Sequence, residues 1–262
     1  MIKIIAIGLN TFREAIRNKV LYSLLFFAVL VILGSLAFGS LSVHEEVRLT
    51  TDLGLAGMSL FAVIIAIFIG VNLVYKELER KTIYSLIPKP IHRYQFILGK
   101  FIGMVLTLFV QILIMTVVLV VVLLLQDASP GAALFKMVSL ITLEVLVITA
   151  IAVFFSSFST PFLSGLFTLG IFLVGRSVPD IRLVAKKMPN PALSTLLTSA
   201  SHLVPNLRFF YITGAERQGE HMSVHGLFPD WSYVGVAGAY ALLYIVLVLL
   251  LAMLLFSRRD FI

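Results

Sequence analysis

The sequence predicts an all-α integral membrane protein, and three observations carry that prediction. Apolar residues make up 60% of the 262 and charged residues only 13%, against roughly 45–50% and about 25% in a soluble domain. The mean hydropathy is +1.07. The apolar residues also gather into runs long enough to cross a bilayer core, which takes about 20 residues of helix. Too few charged side chains are present to coat a soluble fold. A soluble enzyme, a nucleic-acid-binding module and a disordered regulator are therefore excluded. The net charge of +7 then reports membrane orientation and not a nucleic-acid partner. The chain contains no cysteine, hence no disulfide framework, thiolate metal site or cysteine nucleophile.

The elements follow in order. Within residues 2–19, Ile5, Leu9, Phe12 and Ile16 recur on one helical stripe, while Asn10, Arg13 and Arg17 fall on another. That pattern predicts a helix lying in the membrane interface, apolar face in lipid. Six spans follow, at about 20–41, 55–75, 101–125, 132–158, 162–178 and 234–256. The first is longer than the apolar region of a cleaved signal, so it is predicted to stay as a span. The third holds Gln111 as its one strongly polar residue, and the fourth holds Lys136 and Glu144. The fifth rests on Phe162–Gly175, only 14 apolar residues. It crosses if Arg176–Val178 extend it by snorkelling. The sixth carries no charge.

The remaining segments are a loop at 76–100 and an external segment at 179–232. Pro179, Pro189, Pro191, Pro205 and Pro229 argue against a long uninterrupted helix after residue 176. Leu193–Leu203 fits a short amphipathic or re-entrant helix. Trp231 and Tyr233 are placed at interface level. Orientation follows from lysine and arginine. The N-terminal segment, the 76–100 loop and the C-terminus lie on one side if there are six crossings, and together they sum to +8. The other side is neutral, so both termini and the loop are predicted to be cytoplasmic.

The loop is the most informative stretch. Lys76–Leu86 lacks helix breakers, and Pro88 and Pro90 end it sharply. Glu77 and Lys81 form a favourable i,i+4 pair. By pattern alone it is either an ordinary basic loop or a helix that docks on a cytoplasmic partner.

Between the second and third spans the order Glu-x-x-x-x-Thr, Pro-x-Pro, Arg-x-x-x-x-x-Gly-Lys is filled by Glu77, Thr82, Pro88, Pro90, Arg93, Gly99 and Lys100. This order resembles the membrane subunits of ABC-2 type transporters. The opening stretch Thr11–Phe27 is similar to the same family, particularly the branch that includes the permease of the copper-maturation system for nitrous oxide reductase. The resemblance covers essentially the whole chain. It implies a permease subunit that pairs with a second one, identical or not, over two cytoplasmic ATPase subunits in a bacterial cytoplasmic membrane. It implies transport, with export the expected direction. It also implies an ATPase contact at Glu77, Leu78, Glu79, Arg80, Lys81, Thr82, Pro88, Lys89 and Pro90. The chain has no Gly-x-x-x-x-Gly-Lys-[Ser/Thr] phosphate loop, since Gly99-Lys100 is followed by Phe101. ATP and Mg are expected in the partner ATPase, and no cofactor is expected in this chain.

Glu144 is an acid about 18 Å of helical rise into its span, where exposure to lipid costs about 2.5–3.5 kcal/mol. It either lines the pathway, carries a proton, or packs through a hydrogen bond to Gln111 or Asn72. Gln111 and Asn72 suit interhelical hydrogen bonding better than ligand binding, though both are candidates for the pathway lining. Gly99 and Gly103 have the spacing that lets helices approach closely. His221 and His225, with Glu220 adjacent and His202 upstream, are too few for a specified metal site, and none is expected. No histidine lies in a confident span, which argues against an intramembrane protease. A stand-alone secondary transporter is the alternative. It would have no need of the docking loop and would show internal repeats or broken helices.

Overall fold

The structure, a computed structural model, describes residues 2–40, 46–79, 92–188, 190–211, 216–217, 220–221 and 230–257. Among them the helices are α1 (Ile2–Ile16), α2 (Lys19–Gly39), α3 (Glu46–Glu79), α4 (Arg93–Leu125), α5 (Ala132–Ser156), α6 (Pro161–Lys187), α7 (Pro191–Leu203) and α8 (Trp231–Ser257). A short 3-10 turn at Leu207–Phe209 follows α7. A two-residue antiparallel ladder joins β1 (Glu216–Arg217) to β2 (Glu220–His221). Six helices are long and apolar enough to cross a membrane: α2, α3, α4, α5, α6 and α8. The protein is an all-α integral membrane protein.

Local chemistry sets several helix ends. Asn18 starts α2 by accepting the Val20 N–H at 3.0 Å, and Asn190 starts α7 by accepting the Ala192 N–H at 3.1 Å; each satisfies an otherwise orphaned donor. Pro161 occupies the first turn of α6, where its missing N–H costs nothing. At the end of α4 the chain turns through Asp127, with φ 56°. The Ala128 and Asp127 N–H groups return to the Leu123 and Leu124 carbonyls at 3.0 and 3.1 Å. This is a Schellman ending with aspartate in the left-handed position usually held by glycine.

Three expected boundaries differ by several residues. The third span begins at Arg93, eight residues before the expected start, so the last part of the 76–100 loop is helix. The second span begins at Glu46, nine residues before the apolar run, because Thr50 and Thr51 face inward and satisfy their hydroxyls within the bundle. The fifth runs to Lys187, straight through Pro179. That proline withholds one N–H, from the Gly175 carbonyl, and the rest of the helical ladder continues on either side.

Helices α3 and α5 are the inner pair. Helix α5 packs against α3, α4, α6 and α8, and α2 lies along α3. The buried core runs through Met58, Ile65, Ile69, Met115, Ile141 and Ile148. Large apolar side chains such as Phe26, Leu173, Leu243 and Leu247 point outward from α2, α6 and α8, as lipid-facing surfaces require. The start of α3 and the end of α4 are tied as well, since Gln126 Nε2 donates to Thr50 Oγ1 at 3.1 Å. Lys136 Nζ lies 5.8 Å from the Trp231 ring centroid.

Helix α1 is seated on α4. Its glycine face meets the Gly99/Gly103 pair: a Cβ on Gly103 would strike the Gly8 carbonyl and come within 2.6 Å of Thr11 Cβ. A Cβ on Gly99 would meet Ile7 Cβ at 2.7 Å. Ile5, Leu9 and Ile16 remain exposed on the opposite side, where the sequence stripe places a lipid contact. Gly103→Ala is expected to lower the thermal unfolding midpoint in mild detergent, because backbone must move. Overpacking of this kind costs about 1–3 kcal/mol. Gly165, which has nothing within 4 Å of a built Cβ, is the control, and Gly165→Ala is expected to leave the midpoint unchanged or raise it.

Candidate functional site

Inside the bundle an ion pair joins two spans. Glu144 stands at the midpoint of α5 and is fully buried. Arg176, on α6, donates from Nε to Glu144 Oε1 at 2.8 Å and from Nη2 to Glu144 Oε2 at 2.8 Å. Nη2 also donates to Ser59 Oγ of α3 at 2.5 Å. The Ser59 hydroxyl in turn donates to Glu144 Oε2 at 3.2 Å. The carboxylate is thus met by a two-point guanidinium fork and a hydroxyl, the arrangement that makes a buried pair tolerable. Depth explains why these residues meet. Glu144 lies about 18 Å along α5 from its N-terminal end, and Arg176 about 22 Å along α6 from its own N-terminal end. Antiparallel helices of this length bring those positions level.

Two rings lie against the guanidinium: the Phe172 centroid is 4.8 Å from Cζ and the Tyr211 centroid 4.4 Å. Tyr211 arrives on the segment that follows α7. That segment, Val204–Tyr211, has little regular structure yet is wedged into the bundle, with Leu207 and Phe210 fully buried. A Cβ on Gly175 would come within 2.8 Å of both the Pro205 carbonyl and the Leu207 side chain, so glycine there allows the close seat. Two tyrosines of α8 satisfy its backbone. The Asn206 N–H donates to the Tyr240 hydroxyl at 3.1 Å, and the Tyr233 hydroxyl donates to the Phe209 carbonyl at 2.9 Å. Non-helical backbone at this depth needs such protein partners. Burial raises the Tyr211 phenol above its ordinary 10.0, partly offset by the Arg176 charge.

A second constellation surrounds the first two turns of α4. Arg93 Nη1 donates to the Phe256 carbonyl at 3.3 Å, capping the C-terminal end of α8. Phe96 stacks on Phe256 with centroids 5.9 Å apart. Lys100 is buried, its ammonium 3.7 Å from Glu14 Oε2 of α1 and 5.9 Å from the Phe96 centroid. Arg93, Gly99 and Lys100 therefore bind α4 to α8 on one side and α1 on the other.

Of the residues singled out from sequence, Arg80, Lys81, Thr82, Pro88, Lys89 and Pro90 lie outside the described residues. Asn72, Glu77, Leu78 and Glu79 sit on the last turns of α3, and their side chains are likewise outside the description. Gln111 is buried on α4, and its Oε1 has no hydrogen-bond partner among the described residues. Glu144 bonds to Ser59 and Arg176, not to Gln111 as one reading of the sequence had it. Arg176 does not snorkel outward either; the buried carboxylate offers it a stronger partner than the interface does. Glu220 and His221 lie on β2 and His202 on α7, whereas His225 is outside the described residues. Arg176, Ser59, Phe172 and Tyr211 were not singled out as site residues. The available signal was one acid within a span and one arginine directly after a short apolar run.

With this architecture in place, the comparison with known families is direct. The family model described as ABC-2 family transporter protein matches residues 5–261. The chain belongs to that family, whose members are membrane-spanning permease subunits of ABC transporters. No curated protein matches the chain significantly.

Arg176→Gln is expected to cost about 3–5 kcal/mol, since it strands a buried carboxylate. The double variant Glu144→Gln/Arg176→Gln is expected to recover most of that loss, because no unpaired charge remains. Thermal unfolding of the two proteins in the same detergent checks both outcomes.

Proposed function

We propose that this chain is the membrane half of an ATP-driven exporter. Separate cytoplasmic ATPase subunits dock on the 76–100 loop, and a second permease subunit completes the pathway. ATP and Mg are held by the ATPase partner. The observation that carries the reading is the family match over nearly the whole chain. The geometry adds a mechanical reason. The loop connects the end of α3 to the start of α4, and the start of α4 is fastened to both α1 and α8. A force on the loop would be delivered at once to α3 and, as one body, to α1, α4 and α8. Ser59 on α3 is bonded to the Glu144–Arg176 pair, so a shift of α3 reaches the buried ion pair.

In this reading both termini are cytoplasmic and the membrane is the bacterial cytoplasmic membrane. The +8 charge gathered on the loop side supports that orientation. The spans carry few charges, which favours an amphipathic or lipid-like cargo over a hydrophilic ion.

Purification of the chain from its native membrane in mild detergent, with mass identification of what accompanies it, tests the coupling. A stoichiometric subunit with a phosphate-loop signature is the expected companion. The Glu77→Ala/Arg80→Ala variant is expected to lose that companion at least about tenfold, which corresponds to about 1.4 kcal/mol. Its thermal midpoint is expected to stay unchanged. A chain that purifies alone, at a yield indifferent to these charges, would point instead to a stand-alone secondary transporter.

A further inference from the structure

Helix α1 has three faces, and the bundle takes up one of them. Ile7, Gly8 and Thr11 meet Gly99 and Gly103 of α4, and Ala15 is fully buried. Ile5, Leu9 and Ile16 form a second face, 57%, 46% and 41% exposed. At about 100° of helical turn per residue, Asn10, Arg13 and Arg17 fall on a third stripe beside the second, and all three are exposed. Arg17 continues the helical path beyond Ile16, its N–H donating to the Arg13 carbonyl at 3.3 Å. Glu14 is the one acid of residues 2–19, and it is turned to the buried Lys100 ammonium at 3.7 Å. No ion pair to Arg13, Arg17 or Lys19 is present among the described residues. The stripe therefore presents uncompensated positive charge next to exposed apolar surface.

Two neighbours fix the level of this surface. The chain passes from Arg17 through Asn18 directly into α2, the first span. The seat on α4 falls at Gly99–Gly103, where the charged start of that helix gives way to the apolar run 101–125. Both points mark the boundary between hydrocarbon and headgroups, where a basic amphipathic helix meets anionic lipid. An apolar face beside a cationic stripe matches the two ends of one molecule. Acyl chains fit along Leu9 and Ile16, and a phosphate fits Arg13 and Arg17. The guanidinium fork suits phosphate oxygens. The two arginines are four residues apart, about 6 Å along the helix, close enough to share one headgroup.

We propose that Arg13 and Arg17, with the adjoining Leu9 and Ile16, form a binding site for an anionic phospholipid, and that the lipid held there steadies the seat of α1 on α4. A free phosphate would leave the apolar half of the surface unused. The same seat carries the start of α4, which Arg93 ties to α8. Lipid charge would thus act on the end of the bundle that the 76–100 loop enters. The site needs no ATPase and stands apart from the question of what docks on that loop.

Trp231→Phe removes the one tryptophan of the chain, and Ile16→Trp places a fluorescent reporter beside the arginines. The full chain is reconstituted in phosphatidylcholine vesicles, and the reporter is quenched by brominated phosphatidylglycerol or brominated phosphatidylcholine at equal mole fraction. The expected relative binding constant favours the anionic lipid at least about fivefold, about 1 kcal/mol, the worth of one cation near an anionic surface. Arg13→Gln/Arg17→Gln is expected to abolish the preference, and Arg13→Lys/Arg17→Lys to keep much of it, because lysine retains the charge. A reporter at Leu243→Trp on α8, a helix with no charged residue, is expected to show none. Phosphatidylglycerol added to the protein in detergent is expected to raise the thermal midpoint of the wild type, as a ligand of the folded state does, and not that of the Gln variant. Equal quenching by the two lipids at residue 16 overturns the proposal, as does a preference that survives in the Gln variant. Arginines that serve only the helix dipole would give that second result. Displacement of the brominated phosphatidylglycerol by inorganic phosphate, at matched ionic strength, would assign the arginines to a free anion and also overturn it.

Discussion

A carboxylate at the centre of a membrane helix has to be neutralised or paired, and much of the bundle is arranged around that requirement. Glu144 sits at the midpoint of α5, where burial without a partner would be untenable. Its partner Arg176 is on α6, the least apolar of the six spans. The pair therefore fixes the rotation of α6 about its own axis and its height against α5. Ser59 adds α3 to the same hydrogen-bonded group. Once the guanidinium is held in place, its faces are available to aromatic rings, and Tyr211 brings the 204–211 segment down onto it. Leu207 and Phe210 then fill the space beside Gly175.

The end of the bundle where α1 meets α4 is built on different physics. There, close approach of backbones does what charge pairing does at the centre. Gly8, Gly99 and Gly103 let α1 lie against α4 with little between them. Contact at that distance favours dispersion and leaves no gap for lipid. Lys100 and Glu14 fix the register of the seat, and Arg93 ties the opposite side of α4 to the end of α8. The last part of that sequence order, Arg93 and Gly99-Lys100, is thus explained by helix packing rather than by phosphate binding. Lys100, which looks like one more cationic residue of a positive loop, is a buried structural residue. Helix α3 runs from Ser59, at the ion pair, on to Glu79.

Not all of this was legible in the residues, for physical reasons that differ from place to place. Helical spans are written in composition, because lipid accepts only apolar side chains and only a backbone bonded to itself. The six spans were therefore readable, including the short fifth. Its true end was not, since Pro179 removes a single donor and a helix can absorb that loss. The start of α3 was hidden because threonine hydroxyls at Thr50 and Thr51 make a helix turn look polar when its bonds are internal. Glu144 was visible as an anomaly, but its partner was not named. Arg176 and Glu144 are 32 residues apart, and the apolar ends of the spans admit more than one register. The depth of each along its helix was the unused clue.

By itself, the sequence determined that this protein lives in a membrane, that it offers six apolar runs to cross it, and that its positive charge gathers on one side if all six cross. Those properties are sums over side chains, and a sum does not depend on which helices touch. Only the tertiary structure decided that α5 is central, that α1 rides on α4, and that Glu144, Ser59 and Arg176 share one hydrogen-bonded knot roofed by Tyr211. Those facts depend on the rotation and height of each helix, and one turn of slip would separate the same residues by about 5.4 Å. No pattern along a single helix records its rotation relative to a neighbour. Close packing and the pairing of buried charge do.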